Sequence, residues 1–190
     1  MAVTVTPDTF TLVEFDPKAI ARVVRRLVRV VGLPTGVSVR VDVDERVPLG
    51  RAQLVSTDPI VLEIEGGALE DPKKPRHLSE AGTADIVGRL LFQARDRLDP
   101  AFGPVPPADG LSLALANAWD VAATGRLVAN GYRSQRQRWL YAFRNRHGFT
   151  DAADAAFAQL WSPSAPLTWV DIVRISDTAQ AARDAVATSS

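Results

Sequence analysis

The chain has 190 residues, 46% of them hydrophobic, with 22 basic and 22 acidic side chains. It has enough apolar content to bury a core, and its charge is too evenly balanced for a disordered or supercharged protein. There is no cysteine, and the only histidines are His77 and His147; this excludes disulfides, thiolate nucleophiles, Cys-ligated zinc, cysteine-bound iron–sulfur clusters and an all-histidine metal site within one chain.

The N-terminal Met-Ala-Val-Thr-Val-Thr-Pro-Asp lacks the basic start and apolar block of a secretion signal, and no stretch approaches the roughly 20 apolar residues of a membrane span. A cytoplasmic protein with no membrane partner is expected. Arginine outnumbers lysine 19 to 3. Beside abundant Ala, Val and Asp, that is the usage of a GC-rich genome, so arginine number alone does not mark a binding surface.

In chain order, Thr9–Phe15 is a candidate edge strand. Asp16-Pro17, the apolar series Ile20, Val23, Val24, Leu27, Val28, Val30 and Val31, and the stop at Gly32 before Pro34 predict a helix over 17–31. Its other face carries Lys18, Arg22, Arg25, Arg26 and Arg29, the pattern of a solvated side. Val37, Val39, Val41 and Val43 alternate with Ser38, Arg40, Asp42 and Asp44, which predicts a half-buried strand, and strands follow over 51–56 and 59–65. Residues 71–78 form a basic, proline-broken loop. A second helix starts at Ser79 with Glu80, or at Thr83, and buries Ile86, Val87, Leu90, Leu91, Ala94 and Leu98. Four prolines make 99–110 a long connection. Helices are predicted over 112–130, 133–146, 151–161 and 168–185, the last opened by a Thr168-x-x-Asp171 box, and the tail to Ser190 is expected to fray.

The expected fold class is therefore α+β: a small mixed or antiparallel sheet packed on helices, followed by a helical C-terminal half. One domain over 1–190 comprises an α+β part over 1–98 and a helical part over 111–187, joined by the connection 99–110.

The chief anomaly is charge distribution. Val121 to Thr150 contains no acidic residue but holds Arg126, Arg133, Arg136, Arg138, Arg144, Arg146 and His147, interleaved with Tyr132, Trp139, Tyr141, Phe143 and Phe149. Arginine with aromatics is a composition that binds phosphates and stacks bases, which makes Arg133, Arg136, Arg138, Arg144 and Arg146 candidate polyanion- or partner-binding residues. At 100° per residue, however, Tyr132, Trp139 and Phe143 share one narrow sector, the arrangement of a core-facing helix whose arginine stems cover the rim. The four tryptophans, Trp119, Trp139, Trp161 and Trp169, are expected in the core.

His77, with Glu80 and Asp85 and beside Glu70 and Asp71, is the one place where an imidazole meets several carboxylates in sequence, the materials of a general base or metal site. Its spacing matches no catalytic motif. His147, beside the Gly148 helix stop, is expected either to favour a helix C-terminus electrostatically or to contact its last carbonyls. Phosphate-loop, dinucleotide-binding, nucleophile-elbow and EF-hand patterns are absent from the sequence. Asp42, Asp44 and Arg40 share a strand face and are expected to be solvated.

The order of a helix, a small sheet ending in an apolar strand, a variable loop and a buried helix resembles the minimal zincin-like metalloprotease domains. The likeness is carried by Val37-Ser-Val-Arg-Val-Asp-Val-Asp44, Pro59-Ile-Val-Leu-Glu-Ile-Glu-Gly-Gly67 and Ala84-Asp-Ile-Val-Gly-Arg-Leu-Leu-Phe92, and it covers roughly residues 17–98. In that family the helix after the last strand carries H-E-x-x-H, two zinc ligands one turn apart and a glutamate that activates water. The matching stretch here is Gly88-Arg89-Leu90-Leu91-Phe92, so no catalytic residue carries over. The resemblance implies a metal-free, cofactor-free, non-catalytic binding or scaffold protein, with a protein as its first expected macromolecular partner. Nucleic-acid or polyanion binding through 132–149 is the second reading, and a hydrolase with an unconventional site at His77, Glu80 and Asp85 the third.

Overall fold

The computed structural model describes residues 2–188 and divides into two compact units, Met1–Leu98 and Asp99–Ser190. The first holds β1 (Val3–Thr6), α1 (Pro17–Val31), β2 (Val39–Asp44), β3 (Ala52–Thr57), β4 (Ile60–Glu65), β5 (Glu70–Asp71), β6 (Lys74–Leu78) and α2 (Glu80–Leu98). The second is helical: α3 (Leu113–Ala129), α4 (Arg136–His147), α5 (Asp151–Trp161) and α6 (Trp169–Thr188). The fold is α+β. α6 runs to Thr188, three residues past the expected end, so most of the tail expected to fray is helical; residues 189–190 lie outside the described residues.

In the first unit the strands lie in the order β1-β2-β4-β3; β2 runs parallel to β1 and β4, and β3 closes the edge antiparallel to β4. The valine alternation predicted the burial: Val39, Val41 and Val43 face the core with Ile60, Leu62 and Ile64, while Arg40 and Glu63 are exposed. On the apolar side α1 packs against β1 and α2, and α2 against β3 and β4. Each buried aliphatic side chain contributes roughly 1.5–3 kcal/mol relative to exposure. The signals at the ends of α1 act as the sequence implies. Asp16 accepts from the Lys18 N–H at 2.8 Å, Pro17 opens the helix, and Gly32 stops it with φ 72°, the left-handed conformation that glycine takes without strain. Ser79 caps α2, its hydroxyl accepting from the Gly82 N–H at 3.0 Å.

Two expectations need correction. The edge strand is Val3–Thr6, not Thr9–Phe15; that later segment makes a single bridge, Glu14 to His77, and is tied down by Glu45, which accepts from the N–H groups of Thr11 and Leu12 at 2.8 and 2.7 Å. Residues 71–78 are not a plain loop: β5 and β6 pair as a small antiparallel hairpin. Asp71 turns the chain by accepting from the Lys73 N–H at 2.8 Å, and Pro75 is tolerated because a two-stranded hairpin has only edges, where one N–H can be missing.

The helical unit packs around Phe102, Trp119, Phe143, Phe157, Leu160, Trp161 and Trp169. Three tryptophans are buried as expected; Trp139 is half-buried, its indole N–H donating to the Ser134 hydroxyl at 3.0 Å. The Thr168–Asp171 box forms in both directions, with the Thr168 N–H donating to the Asp171 carboxylate at 3.0 Å and the Asp171 N–H donating back to the Thr168 hydroxyl at 3.3 Å. α4 begins three residues later than expected, so Tyr132 and Arg133 precede the helix.

Gly125 lies where α3 meets α5, and a Cβ there would collide with the Trp161 carbonyl. Gly125→Ala, a change that adds about 1 kcal/mol to an ordinary helix interior, should here cost about 2 kcal/mol or more. Denaturant unfolding checks this, and a midpoint above that of the parent protein would show that the Trp161 backbone gives way.

Candidate functional site

The candidate residues fall into separate places. In the first unit, a cleft of about 620 Å³ lies against the polar side of the sheet, lined by Thr6, Asp42, Asp44, Arg46, Gln53 and Glu63 among others. Parallel pairing sets Thr6, Asp42 and Glu63 in one row and Asp44 beside Glu65 in the next, and like charges on neighbouring strands repel. The repulsion is offset locally. Arg40 donates to Asp42 at 2.9 Å, Arg46 donates to Asp44 at 3.0 Å, and Gln53 donates to Glu63 at 2.8 Å. The Arg46 side chain holds the Asp44 carboxyl below the usual carboxylate range, and the Leu12 N–H does the same for Glu45. Sequence reasoning identified Asp42 and Asp44 as solvated but missed the cleft, because β2 and β4 alternate in register only once their parallel pairing is known.

The structure does not assemble His77, Glu80 and Asp85 into a site. The His77 Nδ1 lies 3.3 Å from the Glu14 carboxylate, a residue the sequence reading did not consider, and among the described residues no group of three His, Asp or Glu side chains is placed to hold a metal ion. Nor does a zincin zinc fit α2. Gly88, Arg89 and Phe92 stand where the resemblance puts the two histidines and the glutamate, and Leu90, Leu91 and Phe92 are packed in the core, with Phe92 2% exposed.

In the second unit α4 sorts the five candidate arginines. Phe143 and His147 turn inward. Arg144 is bound to Asp154, donating from Nε at 2.7 Å and Nη2 at 2.5 Å, a bidentate pair that also holds the Asp154 carboxyl below its ordinary range. The Arg136 guanidinium lies 5.1 Å from the centroid of Phe157, over the core. Arg133, Arg138 and Arg146 are exposed and have no ion-pair partner among the described residues. Tyr141 and Phe149 are exposed too, 62% and 64%, and meet edge to face at 6.0 Å.

His147 is fully buried and stacks on Phe143 at 3.8 Å between centroids. Its Nδ1 lies 3.2 Å from the Phe143 carbonyl, which only accepts, so Nδ1 carries the proton; Nε2 then accepts from the Ser176 hydroxyl at 2.9 Å. The histidine joins α4 to α6 as a neutral ring: of the two roles its position beside Gly148 suggests, it takes the contact with a carbonyl near the helix end, that of Phe143, and not the charged one. Burial pushes its pKa below the ordinary value, ahead of the opposing Phe143 hydrogen bond and a further push down from the Arg183 charge.

The unfolded imidazole therefore takes up a proton near its ordinary value of about 6.5, while the folded one stays neutral to lower pH. Stability from His147 is present above that value and is lost as pH falls through it toward the folded pKa. Thermal unfolding from pH 7.5 to 5 is expected to show a steeper acid loss for the parent than for His147→Gln, which keeps a neutral hydrogen-bonding group; parallel curves would contradict this.

Among the described residues no helix is long and apolar enough to cross a membrane. No protein-family profile, curated protein or solved structure matches this chain.

Proposed function

We propose that this chain is a non-catalytic, cytoplasmic recognition or scaffold protein, whose first unit keeps a zincin-like arrangement without zincin chemistry. The observation that carries the reading is the state of α2: the stretch aligned with the family's metal-binding motif offers neither imidazole nor carboxylate, and Leu90, Leu91 and Phe92 fill it with core side chains. The succession of α1, the mixed sheet of β2, β4 and antiparallel β3, and buried α2 supports the resemblance. Such a chain acts through its surface on a macromolecular partner, because fold alone does not carry the chemistry.

Elemental analysis of purified, tag-free protein, with hydrolysis of labelled casein in the presence and absence of a chelator, tests this. The expected outcome is substoichiometric zinc and no chelator-sensitive cleavage. Stoichiometric zinc with cleavage abolished by chelation would overturn the reading and return the hydrolase with an unconventional site to the front.

A further inference from the structure

The solvent side of α4 joins three features that the core does not use. At 100° per residue Arg138, Tyr141 and Asn145 fall within about 60° of one another, opposite Phe143 and His147, which are buried. Phe149, just past the Gly148 stop, closes back onto Tyr141 at 6.0 Å with the ring planes 69° apart. No acidic residue occurs between Asp120 and Asp151. Asp154 is already taken by Arg144, and Asp151 opens α5, where the positive end of the helix offsets its charge. A monomer gains nothing by leaving two aromatic rings this open beside uncompensated guanidinium groups, since hydrophobic area in water is a cost.

We propose that this face binds single-stranded nucleic acid, with Tyr141 and Phe149 each stacking a base and Arg138 taking a phosphate beside them, while the exposed Arg133, ahead of α4, and Arg146, on the flank of the helix about 80° from Arg138, take phosphates where the strand enters and leaves the face. The proposal rests on the reading of the chain as a surface-recognition protein and names the partner class. Single strands suit the geometry because unpaired bases can reach protruding rings, whereas a duplex buries its bases in the stack. The 69° between the rings requires the strand to turn between the two stacked bases instead of running as one continuous stack. The exposed stripe on α1, Lys18, Arg22, Arg25, Arg26 and Arg29, is by contrast cationic without aromatics, which suits a solvated face and provides an internal control.

Fluorescence anisotropy of labelled dT20 and rU20 with the full-length protein tests the proposal. Three phosphate contacts predict an affinity that falls with salt at a log–log slope of about −2, since single strands give roughly −0.7 per contact. Tyr141→Ala and Phe149→Ala should each weaken binding about tenfold, Tyr141→Phe should retain it, and Arg138→Gln with Arg146→Gln should flatten the salt slope by about 1.4. Circular dichroism establishes that the variants remain folded, as expected for exposed positions. Absence of binding at 50 mM salt overturns the proposal. So does loss of binding on Arg25→Gln with Arg26→Gln while Tyr141→Ala is silent, which assigns a bare polyanion to α1, and so does competition by poly-glutamate as effective as by unlabelled dT20, which assigns an acidic protein segment to the face. None of these outcomes bears on zinc content or casein cleavage, so failure here is distinct from failure of the non-catalytic reading.

Discussion

The rotation of α4 about its own axis is the constraint on which the rest of the second unit depends, and Phe143 with His147 sets it. These residues are one helical turn apart, stack on each other, and are held by a hydrogen bond back to the Phe143 carbonyl and another across to Ser176 on α6. A buried ring nitrogen without a partner costs free energy comparable to a lost hydrogen bond, so turning the helix would strand Nε2, whose partner Ser176 lies on α6, while pulling Phe143 from the core. With that face committed, Arg144 meets Asp154, Arg136 lies over Phe157, and Arg138 and Tyr141 face water. Which side chains remain for a partner is decided by what the core has already taken.

The first unit obeys a different constraint. Its parallel strands place carboxylates side by side on the polar face, and that arrangement persists because each of three carboxylates has a nearby donor: Arg40 on the same strand for Asp42, Arg46 just past the end of β2 for Asp44, and Gln53 on neighbouring β3 for Glu63. These pairs are largely exposed and serve local neutralisation more than stability. The opposite face is uninterrupted aliphatic packing, and α2 joins it with leucine, valine and phenylalanine. A metal site in that helix would need polar ligands facing out of the same stretch, and the chain has spent those positions on the core.

Much of this organisation was legible locally. Asp16-Pro17 and Gly32 bound α1 where they fall in sequence, Ser79 caps α2, and Thr168 with Asp171 opens α6, because a cap satisfies its own orphan N–H groups within three residues. The valine alternation of β2 identified its buried face, and helical phase picked out Phe143 as inward. The strand at Val3–Thr6 and the hairpin at 70–78 were not legible, since four alternating residues or a proline-broken run become strands only when a partner edge is present.

By itself, then, the sequence determined the α+β class, the capped starts of α1, α2 and α6, the buried face of β2, the absence of cysteine chemistry and the lack of a metal-binding motif in α2, all of which are properties of neighbouring residues. Tertiary structure alone decided that β2 pairs in parallel, that His77 meets Glu14 and not Glu80, that His147 is a buried neutral link 29 residues away from its Ser176 partner, and that Arg144 is consumed while Arg138 is left open. The physical reason is the same in each case: pairing and burial are set by groups distant along the chain, and no local periodicity encodes which distant group arrives.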